Sequence, residues 1–366
     1  TFLQNINVGV AITAGKLGIG FTDGNIKIGN TALDSLTTGT ENTAIGDKAL
    51  TANTTGSTNT AVGYESLDAN TTGSNNVGVG RKSLTENTTG ANNTALGTSA
   101  LFSNTTGSDN TSVGFAALDV NTTADNNTAV GSAALGSNTT GGNNTALGQQ
   151  SLQSNTTTSN NTAIGKDALR HFTAGNNTAI GYDAMQGASG SSTGSNNVAI
   201  GYAALTSDTT GQLNIGIGVE TLDANTTGSY NVAVGKGALG NNTTADYNTG
   251  IGQEALIGNT TGTRNTGVGA FALYTASTAN DNSAFGYDAL RLNTTGVDNN
   301  AFGAKTLDAN TTGSRNNAFG FQALTASTTG SDNTAFGHKA LEANTTGAGN
   351  VAVGAFALDA MSTGDN

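Results

Sequence analysis

The stretch "NTAIGDKALTANTTGST" at residues 42–58 is followed directly by "NTAVGYESLDANTTGSN" at residues 59–75. A chain of 366 residues would ordinarily fold as about one to three globular domains, but self-similarity at a fixed short period is typical of a repeat architecture. We therefore write the repeat as N-T-A-I-G-x-x-A-L-x-x-N-T-T-G-x-x, number its positions 1 to 17, and follow it along the chain.

The glycine at position 5 sets the register of the repeat. It recurs every 17 residues from Gly29 to Gly165, comes 16 residues later at Gly181 and 20 later at Gly201, and then returns to a step of 17 as far as Gly354. Residues 25–366 therefore hold about twenty copies, with irregular coils around 165–201. Residues 1–24 keep a hydrophobic alternation but lack the period, and we interpret them as an N-terminal cap or junction.

The composition excludes several classes of protein. Pro, Cys and Trp are absent, and only 10% of residues are charged. A chain without Pro suits a backbone whose N–H groups are nearly all used in a ladder, and a chain without Cys has neither a disulfide framework nor a thiolate metal site. The thinly spread net charge of -12 argues against nucleic acid or an anionic membrane as a partner. No apolar run approaches the ~20 residues of a membrane span.

The pattern within one repeat predicts β-structure. Position 4 is apolar in every copy and position 2 is commonly Thr, Val or Ile, which predicts a short strand with positions 2 and 4 on one face and the small residue at position 3 on the other. A second strand is predicted at the A-L of positions 8 and 9, with N-T-T-G as the return turn. We therefore expect an all-β fold, a parallel β-solenoid of 17-residue coils stacked ~4.8 Å apart.

Energetics require that the coils stack. Ordering the backbone of one coil costs roughly 17 to 34 kcal/mol, whereas burying one Ile and one Leu returns only about 3 to 6 kcal/mol. Stacking superposes identical residues, so that Asn at positions 1 and 12 forms ladders and the core is built from positions 4 and 9. The predicted core residues are Ile45, Leu50, Val62, Leu67 and a stacked aromatic column of Phe285, Phe302, Phe319 and Phe336.

The two glycines of the repeat behave differently. Position 5 is Gly in all copies, including Gly46, Gly63, Gly80 and Gly97, which indicates φ > 0 or a close backbone approach. Position 15 also admits Ala and Thr, so we interpret its glycine as a favoured turn residue only.

The "NTAIG", "NTAVG" and "NVAIG" segments, together with the A-L that follows, resemble the head repeats of YadA-type trimeric autotransporter adhesins and related repeats of bacteriophage tail fibres. The resemblance extends over residues 25–366. It implies a left-handed parallel β-roll, association of three chains along the axis into a homotrimer, and an extracellular, cell-surface or virion location. The coil here is longer than the usual adhesin coil, because N-T-T-G-x-x enlarges one turn.

We find no constellation that indicates catalysis, a cofactor or a metal. His171 and His338 each lack a His, Cys or acidic partner at ligand spacing, and we interpret both as incidental surface residues. The N-T-T motif makes Asn53, Asn70, Asn87 and Asn104 formal N-glycosylation acceptors. The alternative is that Asn and Thr form a hydrogen-bonded turn and ladder, and it is favoured because the period alone explains the motif.

We therefore expect a non-catalytic structural protein, the shaft or head of an extracellular or virion fibre that supports attachment to a receptor the sequence does not identify. Two alternatives stay open. One is a self-assembling filament whose subunits stack end to end; the other is an ice- or glycan-binding solenoid that presents rows of Thr. The irregular coils between Gly165 and Gly201 are a tolerated bulge with a protruding loop, or a hinge or contact point.

Overall fold

The structure, a computed structural model, describes residues 19–188 and 192–365. No helix occurs in these ranges. The chain divides into two compact units, residues 1–159 and 160–366. The first contains β1 (Ile19–Thr22), β2 (Asn25–Ile28), β3 (Thr43–Ile45), β4 (Thr60–Val62), β5 (Val77–Val79), β6 (Thr94–Leu96), β7 (Thr111–Val113), β8 (Thr128–Val130) and β9 (Thr145–Leu147). The second contains β10 (Thr162–Ile164), β11 (Thr178–Ile180), β12 (Val198–Ile200), β13 (Ile215–Ile217), β14 (Val232–Val234), β15 (Thr249–Ile251), β16 (Thr266–Val268), β17 (Ser283–Phe285), β18 (Asn300–Phe302), β19 (Asn317–Phe319), β20 (Thr334–Phe336) and β21 (Val351–Val353).

Within each unit the strands pair in parallel, each with the strand of the next coil. In the first unit this holds from β2 to β9 and in the second from β10 to β21. Equivalent residues face each other, as in Thr43↔Thr60 and Ala44↔Ala61. The parallel β-solenoid is therefore confirmed. The register also holds through the 16- and 20-residue coils, where Thr162 faces Thr178 and Thr178 faces Val198.

The predicted cap at residues 1–24 lies outside the described residues for its first 18 positions. Its described part contains β1, which pairs antiparallel with β2 so that Ile19 faces Ile28. An antiparallel strand at this point covers one edge of the first parallel strand, and a covered edge is protected from pairing with other chains.

Each coil from β3 onward contains one three-residue strand, so the second strand predicted at positions 8 and 9 is wrong. The chain turns there instead, with Lys48 at φ +59° and Leu50 at φ +52°. The Leu50 N–H still donates to the Ser66 carbonyl of the next coil, at 3.1 Å. A left-handed conformation costs a bulky residue roughly 1–2 kcal/mol, and it persists here because the turn directs the leucine into the core while the neighbouring coils hold the backbone.

The core of each coil is narrow and half polar. In the coil at 42–58 the buried residues are Asn42, Ala44, Ala49, Leu50, Asn53 and Gly56, which stand at positions 1, 3, 8, 9, 12 and 15. One leucine and two alanines are the apolar side chains of this interior, and two asparagines fill the remainder.

This core corrects the predicted one. Leu50 and Leu67 are confirmed as fully buried. The prediction that position 4 is buried is wrong: the position-4 side chains Ile45, Val62, Phe285, Phe302, Phe319 and Phe336 lie on the outer face of the sheet, half-buried or exposed. The reason is space, since a Cβ placed on Gly216 at position 3 would already lie 3.3 Å from Cδ1 of Leu205 in the preceding coil. From residue 42 onward, the interior beside the strand therefore admits Ala, Gly or, at Ser112, Ser, and the larger residue points outward.

The strict glycine at position 5 is confirmed on both grounds proposed for it. Gly46 has φ +138°, and a Cβ there would lie 2.4 Å from the Gly63 carbonyl oxygen of the next coil. The corresponding distance is 2.3 Å at Gly63, 2.4 Å at Gly80 and 2.5 Å at Gly97. No L side chain can take this position without moving the adjacent coil.

The space at position 15 is more restricted than its interpretation as a favoured turn residue implies. A Cβ on Gly56 would lie 2.3 Å from the Gly73 carbonyl oxygen and 2.5 Å from Oδ1 of Asn53, although its φ is not in the left-handed region. Ala124, Ala245 and Ala279 nevertheless occupy equivalent sites and are buried, so a small shift of the neighbouring coil accommodates one methyl group there.

Two substitutions in one coil separate these glycines. Gly286→Ala adds a Cβ at φ +140° and 2.6 Å from the Gly303 carbonyl carbon, and we expect it to destabilise its coil by about 2–3 kcal/mol or more. Gly296→Ala repeats the residue found at Ala279 in the preceding coil, and we expect a cost of about 1 kcal/mol. Hydrogen exchange of the amides at 282–298 measures both, and equal losses would contradict the distinction.

Candidate interaction surface

Two asparagine ladders inside the coils hold the outer surface in register. At position 1, Oδ1 of Asn42 accepts hydrogen bonds from the backbone N–H of Asn59 at 3.0 Å and from its Nδ2 at 3.1 Å. Nδ2 of Asn59 also donates to the Gly73 carbonyl of its own coil, at 2.9 Å. The position-1 ladder therefore bonds each coil to its neighbour and closes each coil across its interior.

The position-12 ladder uses the same acceptor. Nδ2 of Asn70 donates to Oδ1 of Asn53 in the preceding coil at 2.9 Å and to the Gly73 carbonyl at 3.0 Å. One carbonyl thus receives both asparagines of its coil, as expected of buried amides that must be fully paired. The predicted ladders are confirmed.

These contacts decide against glycosylation. Asn53, Asn70, Asn87 and Asn104 are fully buried, and their amide nitrogens donate inside the coil. The folded chain has no room for a sugar at these four side chains. The alternative interpretation, a hydrogen-bonded turn and ladder, explains them.

Threonine side chains at position 13 also form hydrogen bonds between coils. Oγ1 of Thr54 donates to the Thr71 carbonyl at 3.1 Å, and Oγ1 of Thr71 donates to the Thr88 carbonyl at 3.0 Å. Position 14 forms a separate exposed row, which includes Thr55 and Thr72. The position-13 hydroxyl protons are therefore used between coils, and the exposed threonines of this side stand at position 14.

In each unit, the outer face of the sheet carries an apolar row. We name the position-4 side chains the outer stripe. In the first unit it consists of Ile28, Ile45, Val62, Val79, Leu96, Val113, Val130 and Leu147, and in the second of Ile164, Ile180, Ile200, Ile217, Val234, Ile251, Val268, Phe285, Phe302, Phe319, Phe336 and Val353. Leu96 is 48% exposed and Phe336 57% exposed. A regular row of large exposed apolar side chains is typical of an interaction surface.

Four phenylalanines of the outer stripe form the predicted aromatic column. The ring centroids of Phe285 and Phe302 are 4.7 Å apart, those of Phe302 and Phe319 are 4.7 Å apart, and the planes are nearly parallel. The last pair, Phe319 and Phe336, is tilted at 5.5 Å. The predicted stacking is confirmed, although the column stands outside the core.

Charged columns on the surface follow the same register. Glu65 lies between Lys48 and Lys82, which are equivalent residues of the coils on either side, with Nζ to carboxylate distances of 3.0 and 3.5 Å. Arg264 pairs with Asp281 through two hydrogen bonds of 2.6 and 2.8 Å, and this pairing holds the pKa of the Asp281 carboxyl below its ordinary value. Exposed ion pairs of this kind contribute little stability, but they reinforce the alignment of equivalent residues.

The irregular coils alter the position-12 ladder. Three successive copies place Phe172, Ser192 and Asp208 where most copies have asparagine, and all three are fully buried. Phe172 and Ser192 form an isolated parallel bridge. The coils with missing and additional residues therefore hold a larger side chain, Phe172, in the core. Alignment of the copies at position 12 identifies this residue from the sequence.

The histidines occupy different environments. His338 is exposed and stacks on Phe321 at 5.6 Å between centroids. His171 is partly buried beside the irregular coils, and burial lowers its pKa. Within residues 19–188 and 192–365, no group of three His, Cys, Asp or Glu is placed to hold a metal ion. In the same ranges, no helix has the length and apolar character needed to cross a membrane.

Comparison with protein-family models and with curated proteins finds no match to this chain.

The position-12 ladder predicts a selective effect of one substitution. Asn87→Ala removes donors to Asn70 at 2.7 Å and to Gly90 at 3.0 Å, and the acceptor of Asn104 at 2.8 Å. We expect a loss of about 3 kcal/mol or more in the local free energy of unfolding, because buried partners are left unpaired.

Thr89→Ala in the same coil is the matched control. Its side chain is exposed at position 14, and we expect a change within about 0.5 kcal/mol. Both variants are compared by hydrogen exchange of the amides at 76–104. Similar effects of the two would show that the buried ladder does not stabilise the stack.

Proposed function

We propose that this chain is a non-catalytic structural shaft of an extracellular or virion fibre, and that copies of it associate side by side through the outer stripe into a homotrimer. The observation that carries the proposal is an outward-facing apolar side chain at position 4 in coil after coil, half-buried or exposed in each. Inside the coil these side chains satisfy no packing requirement, because the narrow interior is already filled by Ala, Leu and Asn.

Geometry favours a second copy as the occupant of the outer stripe. The stripe repeats once per coil, and stacked strands are ~4.8 Å apart. A partner that covers it continuously needs apolar groups with the same axial repeat. Another copy of this chain supplies that repeat along its whole length.

The composition of the outer face agrees with self-association. Neither position 2 nor position 4 holds a charged residue in any copy, so copies can meet there without leaving a buried charge unpaired. Charges stand at other positions, such as Lys48 and Glu65 at position 7 and Arg264 and Asp281 at position 17. The apolar strip bordered by polar columns resembles the core and rim of a protein interface.

The magnitude of the effect depends on repetition. Covering one half-exposed Ile or Phe contributes roughly 1 kcal/mol, which cannot offset the estimated association cost of about 4–15 kcal/mol. The second unit alone has twelve parallel strands, and their stripe residues would contribute on the order of 10 kcal/mol per chain. A long array can therefore associate although a single coil cannot.

The number of chains in the proposal comes from the resemblance to trimeric adhesin heads and tail fibres. The small residue at position 3 does not take part in association, since Ala44, Ala61 and their equivalents are buried within their own coils. The surface positions 6, 7, 10 and 11 vary from copy to copy, and such variable faces are suited to contact with an attachment surface while the stripe joins the chains.

Charge placed on the outer stripe tests this proposal. We expect the chain to sediment as a trimer and the double variant Ile251→Lys/Phe285→Lys to sediment as a monomer, because a lysine on the stripe would have to be desolvated at the interface. Circular dichroism should show the β-structure of the variant unchanged. Leu292→Lys is the matched control, since Leu292 is a 41% exposed apolar residue at position 11 and away from the stripe.

Each outcome bears on a separate part of the proposal. A wild-type chain that remains monomeric at all concentrations contradicts self-association. A double variant that stays trimeric, or a control that dissociates equally, contradicts the outer stripe as the interface.

A further inference from the structure

Asp208 replaces an asparagine in the position-12 ladder. When ionised, its carboxylate cannot make all the hydrogen bonds that the asparagine amide makes there. The side chain is fully buried. Its Oδ1 replaces the asparagine Oδ1 as a hydrogen-bond acceptor, from the Gly211 N–H at 3.1 Å and from Nδ2 of Asn225 at 3.1 Å. Its Oδ2 is also buried and has no hydrogen-bond partner among the described residues.

Oδ2 occupies the place of a donor. The glycine at position 15 locates this place. In a regular coil, a Cβ on Gly56 would lie 3.0 Å from Nδ2 of Asn70 in the next coil. A Cβ on the equivalent Gly194 would lie 2.5 Å from Oδ2 of Asp208, so Oδ2 stands where the asparagine nitrogen otherwise does. The ladder amide at this place donates, as Nδ2 of Asn70 does to the Gly73 carbonyl. A carboxylate oxygen can only accept, whereas a protonated one can donate.

We propose that Asp208 is protonated in the folded chain and that loss of this proton makes the coil at 197–213 a pH-sensitive point of the second unit. A neutral carboxyl group substitutes for the asparagine amide, with Oδ2–H in place of the donor. An ionised one leaves a buried charge whose Oδ2 receives no hydrogen bond from the described residues.

The surroundings supply no compensating charge. The neutral groups that meet the carboxyl are Gly194 of the preceding coil, Gly211 of its own coil and Asn225 of the following coil. The ionisable residues of the coils at 177–230 are Tyr182, Asp183, Tyr202, Glu220, Asp223 and Tyr230, and none interacts electrostatically with Asp208. Burial therefore dominates and raises the pKa of Asp208 to about 8, although the hydrogen bonds from Gly211 and Asn225 oppose the shift.

The direction of the pH dependence follows from the protons bound in each state. The unfolded carboxyl ionises near its ordinary pKa of 3.8, and the folded one near about 8. Between these values the folded chain holds one more proton at this site, so local stability falls as pH rises, by about tenfold in the equilibrium constant per pH unit. Above about pH 8 both states are ionised and the dependence ends.

The ion-paired carboxyls act in a different pH range and with the opposite sign. The arginine partners of Asp281 and Asp332 lower the pKa of these two groups below 3.8. Their contribution is lost as pH falls through the acid range, and it does not change between pH 5 and 8. Burial also raises the pKa of Asp183 and of Asp223, but both are retained in Asp208→Asn, so the difference between the wild type and this variant isolates the effect of Asp208.

Hydrogen exchange on the full chain tests the proposal. The amide of Met185, which donates to the Ala204 carbonyl, and the amide of Leu205, which donates to the Thr221 carbonyl, report opening of the Asp208 coil from the preceding and the following coil. After correction for intrinsic exchange rates, we expect the wild-type opening constant to rise roughly tenfold per unit from pH 5 to 8 relative to Asp208→Asn. Asp298→Asn, at an exposed position, should behave as the wild type.

A direct titration completes the test. The carbon-13 shift of the Asp208 carboxyl should show a protonated group at pH 6 and ionisation near pH 8. Opening constants of wild type and Asp208→Asn that run parallel across this range would overturn the proposal, as would a carboxyl already ionised at pH 6. Because the carboxyl lies inside its own coil, these results are independent of whether the outer stripe joins copies.

Discussion

Hydrogen bonds between successive coils, whose equivalent residues are seventeen apart in the regular repeat, are the constraint on which each unit depends. They fix the register of the strand, as in Thr43↔Thr60, and they continue through the turn at Leu50 and the asparagines of positions 1 and 12. Every residue is thereby placed beside its own equivalent. A residue type is tolerated at a given position when it packs or pairs with a copy of itself, which explains why asparagine can fill half of a core.

The architecture could be predicted from the sequence because the period alone defines the coil, and the composition excludes helices and disulfides. The orientation of the strand could not. The period-two pattern of a three-residue strand does not indicate which of its two faces is buried. Large apolar side chains are usually buried, so the larger side chain is predicted to lie inside. The position of Leu205 against Gly216 shows that the interior beside the strand is too narrow for Ile or Phe. The left-handed turn at Leu50 was equally hidden, since leucine rarely adopts φ +52° without neighbours that enforce it.

The site was predicted in part for the same reason. The asparagine ladders and the stacking of Phe285 and Phe302 follow from superposing identical residues. The surface role of position 4 does not, because it depends on which face is solvent-exposed. The chemistry of Asp208 was also missed, although its place at position 12 between Ser192 and Asn225 is visible in the printed sequence once the copies are aligned. An aspartate in an asparagine column is a signal that periodic analysis can find.

Two single-cysteine variants compare the two faces of one strand directly. The chain has no cysteine, so a single thiol is a unique probe. Ser112 is fully buried at position 3, and Val113 follows it on the outer stripe. Under mild oxidation, the account predicts covalent dimers between chains for Val113→Cys and none for the nearly isosteric Ser112→Cys. Cross-linking of the folded Ser112→Cys variant, or a Val113→Cys thiol that never pairs with another chain, would contradict an outward stripe that joins copies.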